Sequence, residues 1–426
     1  MSLLWGTGSP GAELSSEDLK RGLFEALEKL GPRRKVLAVP PDITRLHSRA
    51  GELTLYLREY YGERLTDVLP ALGTHLAMTP DEIREMYGEL DPGLFRRHDW
   101  RRAPVKLGEA PREMVRELSG GLVDFSYPVQ VNRMLIEGGY DLIVSIGQVV
   151  PHEVSGMANY TKNLVVGTGG AEAINKSHFL GAVHGIERIL GRAENPVRRL
   201  FDYADGEYLR KLPVVYVLTV IGRTAEGRLV ARGMFIGEDR ECFERAAELS
   251  QAVNVELLER PLHKVVAYLD PAEYKSTWLG NKAIYRTRMA IADGGELVVL
   301  APGVARFGED DEIDRLIRKY GYVGRERVLA AVAREPDLGA NLSAAAHLIH
   351  GSSEGRFRIT YCPGKLTREE IEGVHFGYGD LAAMMRRYDP GRLADGFNLV
   401  DGEEIFFVRN PATGLWTWRE RFEAAA

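Results

Sequence analysis

The chain has 426 residues, of which 45% are hydrophobic and 27% charged, and its formal net charge is -6. This length is too great for one typical hydrophobic core, so two domains are expected, and the composition is typical of globular proteins. The acidic balance gives no reason to expect nucleic acid as a partner. Two cysteines cannot form a disulfide framework or a cysteine-rich metal site, which fits a reducing cytoplasm.

The N-terminal segment has no basic region followed by a long apolar run, so no signal peptide is predicted. No window of the sequence reaches the length of a membrane span. We therefore expect a cytoplasmic protein that binds neither a membrane nor a nucleic acid.

The first half of the chain alternates predicted helices with predicted strands. One helix starts at a serine cap and ends at Gly31, and another opens with a capping box at Thr79. Apolar runs predict strands over residues 35–41, 66–72, 140–147, 212–222 and 227–238. The last two runs are separated by a glycine-containing turn and are predicted to pair antiparallel, so the sheet is expected to be mixed.

The alternation breaks near residues 267–275 and then restarts. Helices are predicted over about 276–292, 311–321, 324–336 and 341–351, and strands over 294–304 and 357–364. We therefore predict an α/β fold of two α/β domains, with a mixed sheet in the N-terminal domain and a cleft between the domains. The N-terminal domain is expected over 1–269 and the C-terminal α/β domain over 270–400, with the tail, 401–426, returning to the N-terminal domain.

Polar residues follow several predicted strands at their carboxyl ends, which is where open α/β sheets bind ligands. Asp42 and Arg45 follow the first strand, His75 the second and His152 the third. Singly, each has an ordinary structural explanation. Arg45 would most simply pair with Asp42, and most loop histidines are surface or hydrogen-bonded residues.

Two further residues follow His152 in a glycine-containing segment. Lys162 lies ten residues after it, and His178 lies twenty-six residues after it. Alone, Lys162 is most simply a solvated lysine and His178 a hydrogen-bonded helix residue, and the GTGG run at 167–170 lacks the P-loop and Rossmann spacings. Other histidines have no comparable setting and are predicted to be structural: His47, His98, His184, His263, His347 and His350.

As a set, these motifs resemble the nickel-pincer-nucleotide-dependent lactate racemase superfamily of 2-hydroxyacid racemases and epimerases. The resemblance rests on PDITR ending at Arg45, on GTH ending at His75, and on the spacing of His152, Lys162 and His178. It spans most of the chain, since the length and the two-domain layout also match. It implies an isomerase that inverts C2 of a 2-hydroxy acid by reversible hydride transfer to its cofactor.

The resemblance also implies a cofactor that is joined to the protein. Lys162 would be bonded, as a thioamide, to a pyridinium-3,5-bisthiocarboxylic acid mononucleotide, the nickel-pincer nucleotide. The cofactor would hold nickel through two sulfur atoms and a ring carbon, with His178 as the ligand from the protein. Gly167 and Gly169 would lie at the nucleotide, and cofactor-biosynthesis enzymes would be required as partners for maturation.

The remaining site residues are expected to act on the substrate. By the resemblance, His75 and His152 form the acid/base pair, Arg45 binds the substrate carboxylate beside Asp42, and Lys282 reaches into the cleft from the second domain. General chemistry agrees, because the hydrogen on C2 is not acidic and leaves as hydride only to a cofactor. Imidazole titrates near neutrality and an arginine fork matches a carboxylate.

The chain departs from the family pattern in several loops. The departures are Asn159-Tyr160-Thr161 for the usual Gly-Gly-Arg, Val166 for a proline, Leu279 for a polar residue, and Leu46-His47 for a proline. These changes alter the surroundings of the substrate more than the cofactor attachment. They predict a larger or hydroxylated 2-hydroxy acid, including a sugar acid, in preference to lactate.

Two other classes of function are left open by the residues. His75, His152 and His178 would suit a zinc-dependent hydrolase with an open coordination position. A non-catalytic protein that binds a small molecule is the second alternative. Lys162 distinguishes the zinc hydrolase from the racemase, because a zinc hydrolase needs no lysine there and would carry no adduct.

Overall fold

The computed structural model describes residues 3–224 and 226–424, and the chain divides into two compact units. The first unit comprises Met1–Leu180 and Ile189–Asn254, and the second comprises Gly181–Arg188 and Val255–Ala426. The division after Asn254 lies ahead of the predicted residue 269, because the strand at 262–268 pairs within the sheet of the second unit. The tail also groups with the second unit, where its strands pair.

The secondary structure of the first unit follows the predicted alternation. Its strands are β1 (Leu3–Gly8), β2 (Val36–Val39), β3 (Leu65–Val68), β4 (Pro104–Ala110), β5 (Tyr127–Asn132), β6 (Leu142–Gln148), β7 (Pro151–His152), β8 (Gly156–Met157), β9 (Val214–Arg223) and β10 (Leu229–Gly237). Its helices are α1 (Ser16–Leu30), α2 (Ala50–Tyr61), α3 (Pro80–Tyr87), α4 (Arg112–Leu118), α5 (Arg133–Glu137), α6 (Thr161–Val165), α7 (Ala171–His184), α8 (Pro196–Ala204) and α9 (Arg240–Asn254). The end of α7 groups with the second unit.

A six-stranded mixed sheet with the order β1-β10-β9-β6-β2-β3 organises the first unit. Strands β9, β6, β2 and β3 run parallel, whereas β10 is antiparallel to both β9 and β1. The predicted mixed sheet and the predicted antiparallel pair are therefore confirmed. Because β2, β3 and β6 are parallel, the loops that follow them leave the sheet at the same edge.

Helices α1 and α2 bury their apolar faces on this sheet. Helix α1 starts at the Ser15–Asp18 capping box and ends at Gly31, whose positive φ of 74° suits glycine. Leucines of both helices share one buried core with alternate residues of the strands. Side chains on successive strand residues point to opposite faces, so Tyr216 of β9 lies on the other face, near α9.

The second unit is built around its own sheet. Its strands are β11 (Val255–Leu258), β12 (Leu262–Tyr268), β13 (Ile291–Ala301), β14 (Arg358–Pro363), β15 (Gly377–Tyr378), β16 (Gly396–Val400), β17 (Glu403–Val408) and β18 (Leu415–Trp418). Its helices are α10 (Thr277–Gly280), α11 (Lys282–Thr287), α12 (Asp311–Tyr320), α13 (Arg325–Arg334), α14 (Pro336–Gly339), α15 (Leu342–His350), α16 (Arg368–Gly373), α17 (Leu381–Arg387) and α18 (Arg419–Ala424).

Five strands of the second sheet are parallel, and the sheet order is β15-β14-β13-β12-β17-β16. Only its edge strand β16 is antiparallel, to β17. The predicted helix over 276–292 is wrong in extent, because Ile291 already begins the buried strand β13 and the helical part is split into α10 and α11. Within the described residues, no helix has both the length and the apolar character needed to cross a membrane.

Candidate active site

The loops after β2 and β3 meet at a hydrogen bond between Asp42 and His75. Asp42 is only 4% exposed and caps a 3₁₀ helix at Ile43–Ser48 by accepting the backbone N–H of Thr44 at 3.1 Å. Its other carboxylate oxygen lies 2.6 Å from Nδ1 of His75. Two residues that are 33 positions apart in the chain are therefore joined in one polar pair.

Asp42 orients the imidazole of His75. Burial by itself would raise the pKa of the Asp42 carboxyl, but the hydrogen bond and charge of His75, with the hydrogen bonds from Thr44, hold it below its usual range. An ionised Asp42 requires a proton on Nδ1 of His75, so in the neutral form of the ring the lone pair lies on Nε2. Because the His75 side chain is 59% exposed, that lone pair can reach a bound molecule.

Arg45 lies in the same loop as Asp42 but does not pair with it. Its backbone departs from helical geometry, with φ -116° and ψ 31°. Within the described residues, its guanidinium makes no hydrogen bond or ion pair, since the Asp42 carboxylate is occupied by His75 and Thr44. A partly exposed guanidinium with unused donors is suited to a carboxylate ligand.

His152 ends the short strand β7, which follows β6. Its neutral ring favours the tautomer opposite to that of His75. Its Nδ1 accepts the backbone N–H of Val154 at 3.1 Å, so the proton of the neutral ring lies on Nε2. Burial, reinforced by the positive charge of Lys162, holds the pKa of His152 well below its usual value. His75 therefore presents a lone pair on Nε2, whereas His152 presents an N–H there.

A left-handed turn places Lys162 in the first turn of α6. Asn159 and Tyr160 have φ values of 65° and 58°, a conformation that glycine adopts freely and other residues adopt at a cost. These are the positions at which the sequence departs from a Gly-Gly pair. The backbone there has the conformation that a glycine pair favours, even though the glycines are absent.

The amine of Lys162 is partly buried and has no hydrogen-bond or ion-pair partner within the described part of the chain. Burial, and to a smaller extent the positive charge of Arg45, lower its pKa to about 8. A lysine with an ordinary pKa is almost wholly protonated at pH 8. Lys162 instead has a neutral, nucleophilic fraction near neutral pH.

His178 lies on α7 with one ring nitrogen occupied and the other unused. Its Nδ1–H donates to the carbonyl of Ile174 at 2.7 Å, which leaves the Nε2 lone pair available. Burial lowers the pKa of His178 to about 4, so the ring is neutral at pH 7. A backbone carbonyl that orients a neutral imidazole in this way is the usual support of a metal-ligating histidine.

The GTGG run owes its glycines to close packing. An added Cβ on Gly167 would lie 2.3 Å from the carbonyl oxygen of Asn163, and one on Gly169 would lie 2.2 Å from that of Val165. The Gly167 carbonyl also accepts the N–H of Gly73 at 2.8 Å, which ties the His75 loop to this segment. These contacts explain the glycines without a ligand, and their role at a nucleotide stays a prediction.

His98 supports the same run and was not identified from the sequence as part of the site. It is 2% exposed, its Nε2 lies 3.1 Å from the carbonyl oxygen of Gly169, and its Nδ1 lies 3.1 Å from the amide nitrogen of Asn132. It is thus a buried, hydrogen-bonded histidine beneath the loop. No local sequence signal marks it, because both partners are more than 30 residues away.

Lys282 belongs to the second unit, where it is the first residue of α11. The four residues that follow the strands of the first sheet, together with Lys162 and His178, all belong to the first unit. Asp42 is hydrogen-bonded to His75. The charges of Lys162, Arg45 and His178 act on His152, and those of Arg45 and Asp42 act on Lys162, so these six predicted side chains lie near one another. The role of Lys282 toward the substrate stays a prediction.

No group of three or more histidine, cysteine, aspartate or glutamate side chains within residues 3–224 and 226–424 could hold a metal ion. The zinc hydrolase alternative required His75, His152 and His178 to act together as such a group. It therefore has no support from the geometry. A metal that takes a single ligand from the protein, with the others supplied by a cofactor, remains compatible with His178.

The fold and the site together define an α/β protein with a ligand site at the carboxyl ends of parallel strands. Residues 24–189, which include every site residue of the first unit, match the lactate racemase N-terminal domain. The N-terminal part of the chain is therefore similar to a lactate racemase N-terminal domain. This similarity supports a racemase-type function in general terms.

Solved structures show the same fold over nearly the whole chain. A protein from Thermotoga maritima is 26% identical, with a TM-score of 0.80, and the match covers 95% of this chain and 99% of that one. The lactate racemase apoprotein from Thermoanaerobacterium thermosaccharolyticum is 17% identical, with a TM-score of 0.71, and the match covers 95% and 93%. Comparison with curated protein sequences finds no match.

Proposed function

We propose that this protein is a cytoplasmic racemase or epimerase that inverts C2 of a 2-hydroxy acid with a nickel-pincer nucleotide. The observation that carries the proposal is the unpaired amine of Lys162, whose pKa is lowered to about 8. An ion-paired or solvated structural lysine would have neither property. A partly buried amine with a neutral fraction near pH 7 is suited to covalent attachment.

The residues around Lys162 fit the cofactor. His178 offers one imidazole lone pair, and the described residues contain no group of three or more His, Cys, Asp or Glu side chains that could hold a metal, which fits a metal already held by a pincer. We assign Lys162 to covalent attachment, His178 to nickel, and the loop of Gly167 and Gly169 to the nucleotide. When bound, the cofactor supplies the hydride acceptor that no side chain can provide.

The substrate would be held and deprotonated by the residues at the strand ends. Arg45 binds the carboxylate through its unused guanidinium donors. Nε2 of His75 accepts the hydroxyl proton, and the buried Asp42 carboxylate stabilises the imidazolium that results. We assign Lys282 to a further contact with the substrate.

The opposite hand of the substrate requires a second proton partner, and we assign His152 to it. Because Nδ1 accepts the backbone N–H of Val154, the neutral ring would donate its Nε2–H to the oxygen of a bound substrate. To act as a base, His152 must move its proton to Nδ1 and give up that hydrogen bond, which is worth ~0.5–1.5 kcal/mol. The two histidines are thus an acid/base pair with unequal starting states.

The test of the proposal is the mass of Lys162 after co-production with cofactor-biosynthesis enzymes. Peptide mapping should find an adduct on Lys162 and none on Lys176, a partly buried lysine of the first unit that is paired with Glu172. Because the pKa of Lys162 is about 8, attachment should become faster between pH 7 and pH 9 and then level off. An unmodified Lys162 in active protein would contradict the proposal.

The substrate class has its own test. Holoprotein should invert single-enantiomer 2-hydroxy acids in deuterated water with little deuterium at C2, since the hydrogen moves as hydride and not as a proton. Larger or hydroxylated acids should be preferred to lactate, but only modestly, because one methylene is worth ~1–3 kcal/mol of discrimination. Full deuteration at C2 would rule out the hydride route, and no inversion across the panel would rule out the function.

A further inference from the structure

A buried arginine on α8 holds the turn that precedes Lys162. Arg198 is 0% exposed, and its guanidinium donates to the carbonyl of Met157 at 2.7 Å and to the hydroxyl of Thr161 at 2.9 Å. Both terminal nitrogens also reach the carbonyl of Asn159 at 3.4 Å. These three acceptors span the five residues immediately before Lys162, so one side chain fixes the whole approach to the lysine.

The turn needs such support because its backbone is strained. Asn159 and Tyr160 are consecutive non-glycine residues with positive φ, a combination that persists only where the surroundings impose it. The Tyr160 ring stacks on Phe243 at 5.1 Å, and the guanidinium of Arg198 lies 4.4 Å from the same Phe243 ring. Arg198 therefore holds the turn through both its carbonyl oxygens and its aromatic packing.

The charge of Arg198 is directed at backbone carbonyls and has no direct ion-pair partner within the described residues. Its link to the Asp202 carboxylate runs through the hydroxyl of Thr161, and Asp202 is itself paired with Arg240 at 2.6 Å. Burial lowers the pKa of Arg198 to about 10. The hydrogen bonds to the carbonyls of Met157 and Asn159 offset this desolvation, and an apolar side chain would leave those carbonyls without the guanidinium donors.

We propose that Arg198 is a positioning residue for Lys162, which sets the direction of its amine by fixing the Met157–Thr161 turn. This inference rests on the proposed function, because a lysine that is joined to a cofactor must hold its nitrogen at a fixed position. Arg198 acts through the turn and touches neither cofactor nor substrate.

The test compares Arg198→Met and Arg198→Lys with a matched control, Arg232→Met. Arg232 on β10 is also buried in the first unit and donates to two backbone carbonyls, those of Ala12 and Arg223, at 2.8 and 2.7 Å. Each variant is co-produced with the cofactor-biosynthesis enzymes. The adduct-bearing fraction of Lys162 and the unfolding temperature are then measured.

Arg198→Met should lower the adduct-bearing fraction ~10–100-fold, the usual effect of losing a support behind a site residue. Arg198→Lys should recover part of it, because an ammonium reaches some of the same acceptors. Arg232→Met should load like the wild type even where its unfolding temperature falls as far. Normal loading of Arg198→Met, or an equal loss in Arg232→Met, would overturn the inference.

A second measurement separates this inference from the proposed function. If wild-type Lys162 carries no adduct, the proposed function fails, and Arg198 is tested on the apoprotein by the pH dependence of Lys162 acetylation with acetic anhydride. The wild-type midpoint should lie at about pH 8. Arg198→Met should move it upward, in part because the positive charge of Arg198 itself lowers the pKa of Lys162. Arg198→Lys keeps that charge, so a smaller upward shift in this variant reports the altered turn. An unchanged midpoint in Arg198→Lys would overturn the positioning role of Arg198.

Discussion

His178→Ala is expected to produce a folded protein that binds almost no nickel and has no detectable racemase activity. The substitution removes the imidazole whose Nε2 lone pair is the one ligand we assign to the protein. Lys162 is untouched, so the adduct on it should persist without the metal. Elemental analysis for nickel, peptide mapping and thermal unfolding of the same sample check the three parts of this expectation.

His263→Ala is the control, because His263 is an exposed histidine on β12 of the second unit. It should keep full nickel content and activity. In the wild type, nickel should remain bound between pH 7 and pH 5, since the pKa of His178 is about 4 and protons compete with the metal only below that range. Full nickel content in His178→Ala would show that His178 is an ordinary hydrogen-bonded histidine of α7 and not a nickel ligand.

His75→Ala should lower turnover by ~10²–10⁴, the usual contribution of a positioned general base. Asp42→Asn should also lower turnover, because asparagine preserves the cap on the 3₁₀ helix but no longer stabilises the imidazolium of His75. Both variants should keep their nickel and their Lys162 adduct. Initial rates measured from each enantiomer, together with the cofactor content, check this prediction.

His152→Ala and His75→Ala should differ in how strongly each lowers the rate from one enantiomer relative to the rate from the other. His152 starts as a hydrogen-bond donor and His75 as an acceptor, so removing each should impair the initial rates from opposite enantiomers unequally. The equilibrium constant is unchanged by any enzyme variant and fixes the ratio of the two kcat/KM values, so the comparison concerns kcat measured at saturating concentrations of each enantiomer. Near-wild-type rates in either variant on every accepted substrate would remove that histidine from the mechanism.

Several features depend on short stretches of chain and could be predicted from the sequence. The serine cap of α1, the capping box at Thr79 and the buried run of β6 are encoded within a few residues, and all three lie within two residues of their predicted places. The spacing of His152, Lys162 and His178 is likewise local. Together with the PDITR and GTH motifs, this spacing indicated the resemblance to the superfamily.

Tertiary structure alone determined the electrostatic state of the site. The pairing of Asp42 with His75 and the unpaired state of Arg45 both depend on two loops that follow different strands. The sequence placed these loops at one sheet edge, but it could not select which side chain pairs with Asp42. Hydrogen bonds between distant segments depend on distances of a few tenths of an ångström, which periodicity does not encode.

Burial and long-range packing were equally beyond the sequence. From the sequence alone, Lys162 resembles a surface lysine, whereas in the fold it is partly buried and its pKa is lowered to about 8. Arg198, which is fully buried, lies in no recognisable sequence motif. The division into units also required the structure, because β12 belongs to the second sheet through its pairing with β13 and β17. The sequence by itself determined the local elements and the family-like spacing, whereas folding decided which of the polar residues are enclosed, paired or left with a free nitrogen.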